Sequence, residues 1–288
     1  MKEPDMPTNH RSDKPTLVLG GTGKTGRRVA DRLGQRGLPV RIGSRNAGIP
    51  FDWEDQATWG PPLDGVGAVY ISFHPDLAVP GAPEAVRALA DAAIDRGVRR
   101  LVLLSGRGEE EAQRAERAVQ ESGAEVTVVR CAWFMQNFSE GIWRDGVMDG
   151  EIVLPGGDAA DPFVDVDDIA EVAVAALTEP GHAGELYELT SPRLYTMADV
   201  AAELSRAMGR EVRYVPVSVE EYTAAAADHG VPPEFAAFLT YLFTEVFGHN
   251  ETTADGVRRA LGRAPRDFGD YARSAVADAA WTREVAAS

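Results

Sequence analysis

The chain has 288 residues, a formal net charge of −16 and a sequence pI near 4.8. That length can bury one large α/β domain or a domain with a smaller lobe, and the acidic balance excludes nucleic acid or an anionic membrane as a direct partner, because phosphate contact needs a basic face. Cys131 is the only cysteine, which excludes a disulfide framework or thiolate metal cluster and fits a reducing cytoplasm.

Residues 1–14 are polar, lack the apolar stretch of a signal peptide and read as a disordered tail. No apolar run approaches membrane-spanning length. The five histidines (His10, His74, His182, His229 and His249) are too scattered for a metal site.

Thr16-Leu17-Val18-Leu19 reads as a strand that stops at four glycines, Gly20, Gly21, Gly23 and Gly26. Val29, Ala30 and Leu33 then recur at helical spacing. Gly21, Gly23 and Gly26 satisfy G-x-G-x-x-G, and Gly20, Gly23 and Gly26 satisfy G-x-x-G-x-x-G. Between a strand and a helix, this pattern lets the chain turn sharply and lets a pyrophosphate approach bare backbone at a helix N-terminus. Gly20, Thr22, Gly23, Lys24, Thr25 and Gly26 are therefore expected to hold a dinucleotide. Gly23-Lys24-Thr25 also resembles the end of a P-loop, but that motif needs a glycine where Val18 stands, and the apolar runs at 68–72 and 101–105 end in serine rather than a Walker-B Asp.

Residues 38–43 read as the second strand. A preference for NAD calls for an acidic residue at its end, yet this chain has Arg41, Ser44, Arg45 and Asn46 there, with no carboxylate before Asp52. A 2′-phosphate would be met by Arg45 and Ser44, so NADPH is expected over NADH. Asp52 and Trp53 are expected to pass beneath the adenine, although Trp53 could equally fill the gap beside a short helix.

Residues 67–73 form the next expected strand, leading into Phe73-His74-Pro75 at its carboxyl end, where ligands of open α/β sheets sit. Phe73 is a candidate for both cofactor and substrate contact, and His74 a candidate polar catalytic residue. A helix from Pro83 to Gly97 precedes the buried strand 100–106, which ends at Ser105 beside the expected nicotinamide ribose. A charged helix (109–121) and a fifth strand (125–130) continue the alternation, which requires a doubly wound parallel sheet of Rossmann type. Trp133, Phe134 and Asn137, just past that fifth strand, are expected to line the substrate pocket, with neighbouring residues packing the core.

Asp165-Val166-Asp167-Asp168 resembles a helix start, and residues 185–189 return as a strand. Capping-box patterns open helices at Thr196 and Ser218. The remainder reads as mostly helical; Phe235, Phe238, Leu239, Leu242, Phe243 and Phe247 form a stripe that is either lobe core or dimer surface. The expected organisation is a tail (1–14), a Rossmann domain (15–190) and a smaller, mostly helical lobe (191–288) over the substrate.

The loop from Gly20 to Arg27, Phe51-Asp52-Trp53, the run from Arg130 to Phe138 and the run from Phe163 to Ala170 together resemble the NmrA-like atypical short-chain dehydrogenases, most closely the festuclavine and agroclavine dehydrogenase branch of ergot alkaloid biosynthesis. The resemblance covers roughly residues 15 to 225, and the order of the motifs makes it specific. It implies an NADP-binding Rossmann domain with a small lobe over the nicotinamide. The family includes quinone, azo-dye and phenolic-ether reductases as well as redox-sensing regulators, so membership alone does not settle catalysis.

The usual acid of short-chain dehydrogenases, Tyr-x-x-x-Lys, is missing: the only lysines are Lys2, Lys14 and Lys24, and none follows a tyrosine at that spacing. The related reductases' catalytic lysine is not matched either. An iminium ion already carries the charge an acid must create at a ketone, and quinones and enones tolerate weak acid assistance, so the expected activity is NADPH-dependent hydride transfer to such a small molecule, with Ser105 or His74 orienting it. The alternatives are a non-catalytic NADP(H) sensor, whose lobe binds a partner protein, and a non-redox isomerase or lyase.

Overall fold

The computed structural model describes residues 14–228 and 230–282. Residues 1–13 of the expected tail, and residues 229 and 283–288 of the expected lobe, lie outside them.

The sheet-forming half runs β1 (Thr16–Leu19), α1 (Lys24–Gln35), β2 (Val40–Gly43), α2 (Gly60–Leu63), β3 (Ala68–Ile71), α3 (Ala82–Asp95), β4 (Arg100–Gly106), α4 (Glu110–Gln120) and β5 (Glu125–Cys131). There follow β6 (Trp133–Phe134), α5 (Asn137–Glu140), α6 (Arg144–Asp149), β7 (Glu151–Leu154), β8 (Ala160–Val164), α7 (Val166–Thr178) and β9 (Leu186–Leu189). The described residues end with β10 (Leu194–Thr196), α8 (Met197–Met208), β11 (Arg213–Pro216), α9 (Val219–Asp228), α10 (Pro233–Tyr241), a short π-helix (Leu242–Val246), α11 (Gly256–Leu261) and α12 (Phe268–Ala277).

The main sheet has six strands in the order β2-β1-β3-β4-β5-β9, every pair parallel. The alternating-element reading of an α/β Rossmann sheet therefore holds. Alternate residues feed the two faces: Leu17, Leu19, Val69 and Leu101 pack with Val86 and Leu89 of α3 and Val119 of α4. Val18, Tyr70, Val102 and Val129 pack with Val29 and Leu33 of α1 and Ile169 and Val172 of α7. Burial on both faces explains why the strands read as continuous apolar runs. From β1 the chain goes to β2 on one side and later to β3 on the other, so the loops leaving β1 and β3 diverge and open a crevice at their carboxyl ends.

The lobe beside the main sheet takes β6, β7 and β8 from the range expected for the Rossmann domain (15–190), and it holds more strand than its sequence suggests. A small sheet β10-β8-β6 and a parallel pair β11-β7 accompany the helices, and strands this short carry too few alternations to announce themselves. Its core combines Met135, Phe138 and Phe163 with Tyr195, Leu204 and Phe268, and so draws on chain from both sides of residue 190. Val257 of α11 belongs instead to the core of the main sheet. Both capping boxes form: Thr196 and Asp199 satisfy each other's backbone, as do Ser218 and Glu221. The aromatic stripe divides, with Phe243 and Phe247 buried in the lobe core while Phe235 and Phe238 pack on each other half-exposed.

Candidate active site

The glycine loop bends because Gly20 sits at φ +65°, a conformation that favours glycine. A Cβ at Gly26 would collide with the Gly20 carbonyl and come within 2.9 Å of Gly21 Cα, so this position exists for close helix–loop contact. The helix starts at Lys24, inside the fingerprint rather than after it. Gly23 is its extended N-cap, no side chain caps it, and its first turn has no acidic residue. The amino end of α1 thus presents backbone N–H groups and a positive dipole end suited to an anion. These features fit the diphosphate of a dinucleotide.

From this loop a cavity of about 660 Å³ runs along the carboxyl ends of the strands. Gly20, Thr22, Gly23, Lys24 and Thr25 line one end, with Ser44 and Arg45 from the loop after β2. Asp52, Trp53, Phe73 and His74 line a second wall, and Ser105, Trp133, Phe134 and Asn137 a third. The expected residues are therefore brought together, except that Gly26 lies behind the loop as a packing position.

Several side chains have commitments the sequence did not disclose. Arg41 donates to the carbonyls of Pro62 at 2.7 Å and Asp64 at 2.6 Å, which leaves Arg45, exposed on the cavity wall, as the arginine after β2 open to a ligand. Trp53 meets Phe51 edge-on at 5.0 Å and lies 4.7 Å from Phe73, so it packs and lines the cavity at once. Trp133 stacks on Trp143 at 5.7 Å and packs on Phe243 and Phe247, tying the pocket wall to the lobe core. The buried Ser105 hydroxyl donates to Glu116 Oε1 at 2.6 Å, and Glu116 is held in turn by Arg130. Ser105 can accept a hydrogen bond from a ligand, but its proton is already placed.

Comparison with known proteins agrees with this architecture. The model of the NmrA-like family matches residues 12–272. The chain belongs to the NmrA-like family. Agroclavine dehydrogenase of Claviceps fusiformis is 33% identical over 88% of this chain and 95% of its own. The (4-alkanoyl-5-oxo-2,5-dihydrofuran-3-yl)methyl phosphate reductase of Streptomyces griseus is 34% identical over 88% of this chain and 95% of its own. Among solved structures, the NADPH-dependent quinone oxidoreductase QOR2 of Escherichia coli, complexed with NADPH, superposes with a TM-score of 0.75 at 22% identity, covering 91% of this chain and 99% of that one. No helix among the described residues is long and apolar enough to cross a membrane.

In this NmrA-like chain the cavity also holds polar pairings that the sequence did not disclose. Lys24 Nζ donates to Asn137 Oδ1 at 2.8 Å, and burial lowers the Lys24 ammonium below the usual lysine range, with Arg27 and Arg28 adding to the effect and Glu140 opposing it. Asp76 and Glu109 line the cavity between β3 and β4. Burial pushes both carboxyls up; Asp76 and Glu116 push Glu109 further, well above the carboxylate range. Glu109 reads in the sequence as one more acid at a helix start, where acids are commonplace, and nothing local pairs it with Asp76.

Proposed function

We propose that this protein is an NADPH-dependent oxidoreductase that transfers hydride to a small unsaturated organic acceptor, an iminium, quinone or enone, in the aromatic cleft. The observation that carries the reading is the continuity of one cavity from the amino end of α1 to Trp133 and Phe134. Its volume lies in the range of small-ligand sites. The loop residues Thr22 to Thr25 would hold the diphosphate, and Ser44 with Arg45 the 2′-phosphate, which supports NADP over NAD. When bound, the nucleotide supplies the hydride.

The chain's own residues then position the acceptor. Trp133, Phe134 and Phe73 supply apolar surface that excludes water and orients a flat ring, Asn137 is held by Lys24, and His74 and Ser105 offer polar contacts. The substrate named for the Streptomyces griseus relative contains a ring alkene conjugated to two carbonyl groups, which supports the enone class among the three.

Single-turnover oxidation of NADPH by the purified protein, followed by absorbance against a panel of iminium, quinone and enone acceptors, tests the reading. Acceptor-dependent oxidation is the expected result. Tight NADP(H) binding with no acceptor reduced would instead identify a cofactor sensor.

A further inference from the structure

We propose that Asp76 and Glu109 form a proton-sharing carboxyl pair that donates the proton accompanying hydride transfer, the task for which this chain carries no Tyr-x-x-x-Lys. The proposal rests on the reductase reading above and names the acid of that same site.

The two residues come from the carboxyl ends of neighbouring strands, Asp76 after β3 and Glu109 between β4 and α4, and both line the cavity. Their carboxyl groups lie within hydrogen-bonding reach of each other. Glu109 is only 8% exposed, and its Oε2 has no hydrogen-bond partner among the described residues. The carboxyl rests on the bare backbone of Gly106, where a Cβ would collide with it. Asp76 is half-buried, and its Oδ1 accepts from the Ala78 N–H at 2.9 Å.

The groups facing the pair leave an anion on Glu109 without support. Glu116 of α4 adds negative charge, while Cys131 of β5 and Tyr241 of α10 are neutral. The guanidinium of Arg107 lines the same cavity but is spent on Glu188 at 3.6 Å, the Asn250 carbonyl at 3.1 Å and Thr252 at 2.8 Å. His74 lines the same cavity but is exposed to solvent. A buried carboxylate with no donor is costly, and two carboxylates sharing a site cannot both ionise readily. One proton shared between them removes both costs. The Ala78 N–H favours the anion on Asp76, which leaves the proton chiefly on Glu109.

Hydride adds to the β-carbon of an enone, or to a quinone, and an electron pair of the conjugated system moves to oxygen. The O–H bond of Glu109 breaks and a new bond to that proton forms at the anionic acceptor, giving the enol or hydroquinone. NADPH is oxidised to NADP⁺ by two electrons, and the acceptor is reduced by two. The doubly ionised pair regains a proton from solvent through Asp76.

Two measurements test this. Infrared spectroscopy of the cofactor-free protein at neutral pH is expected to show the carbonyl stretch of a protonated carboxylic acid, shifted in heavy water and lost in Glu109→Gln. With NADPH, Glu109→Gln is expected to lower kcat on 2-cyclohexenone by about 100-fold or more, the usual size of a general-acid contribution. The loss on N-methyl-3,4-dihydroisoquinolinium, an iminium that takes hydride without a proton, is expected to be at least about tenfold smaller. Asp76→Asn, which removes the partner's charge, is expected to keep the infrared band while slowing re-protonation. Absence of the band in the parent protein, or equal losses on the two acceptors, would overturn the proposal. If the parent protein reduces neither acceptor, the reductase reading fails and the transfer step with it, while the infrared band still decides whether the pair holds a proton.

Discussion

Lys24 and Asn137, 113 positions apart in the chain, are joined by a hydrogen bond of 2.8 Å that ties the amino end of α1 to the start of α5. The contact spans the two walls of the cavity, so a ligand on the glycine loop and one against Trp133 and Phe134 share a boundary made by this pair. Replacing Lys24 by Met removes a charged donor at the expected diphosphate position. NADPH affinity measured by calorimetry is expected to fall about 10- to 100-fold, the size of a charge-assisted hydrogen bond. Because burial lowers the Lys24 ammonium, the parent protein's affinity should also weaken with rising pH before the ordinary lysine range is reached, a trend missing in Lys24→Met. An affinity that is flat with pH in both proteins would detach Lys24 from the nucleotide.

Ser44 and Arg45 carry the choice between nucleotides. The double variant Ser44→Ala with Arg45→Ala is expected to weaken NADPH binding by about 10- to 100-fold while leaving NADH within about twofold, since only the 2′-phosphate is lost as a partner. Parallel dissociation constants for the two cofactors check this. Equal losses for both would place the arginine elsewhere.

Gly26 can be tested without reference to chemistry. In Gly26→Ala the new methyl group meets the Gly20 carbonyl and Gly21 Cα, both backbone, so α1 must move away from the loop. Overpacking of this kind costs about 1–3 kcal/mol, measurable by urea unfolding, and the displaced loop is expected to lose NADPH binding as well. A variant with parental stability and affinity would show that the contact relaxes freely.

Asp161 gives a pH signature to the lobe. It is 1% exposed, accepts from the Gly248 N–H, and burial pushes it up to about 6; the Gly248 bond, Arg107 and His249 oppose the shift and Glu251 adds to it. In the unfolded chain its carboxyl titrates near 3.9, so between these values the folded state binds the extra proton. Its stabilising contribution is therefore complete below about pH 4 and is lost as pH rises through about 6. Asp161→Asn keeps an acceptor for Gly248 but cannot ionise. Relative to that variant, the parent protein is expected to lose about 2–3 kcal/mol between about pH 4 and about pH 7. Urea unfolding at both pH values measures it, and a difference that does not change with pH would contradict the assignment.

Much of the molecule was legible from residue order. The glycine fingerprint, the alternation of apolar runs with helical spacing and both capping boxes are local demands of the backbone, met within a few residues of themselves, and the Rossmann sheet follows from their succession. The residues gathered on the cavity were also foreseeable, because strand carboxyl ends share one edge of a parallel sheet. What residue order left open was how side chains from distant segments pair. Ser105 looked free to act until the fold set Glu116 against it, and Arg41 looked available until α2 presented its carbonyls. Asp76 and Glu109 were two ordinary acids until adjacent strands brought them face to face. Those pairings depend on strand order and on burial, which set the strength of every charge and hydrogen bond in the cleft and which no local pattern encodes.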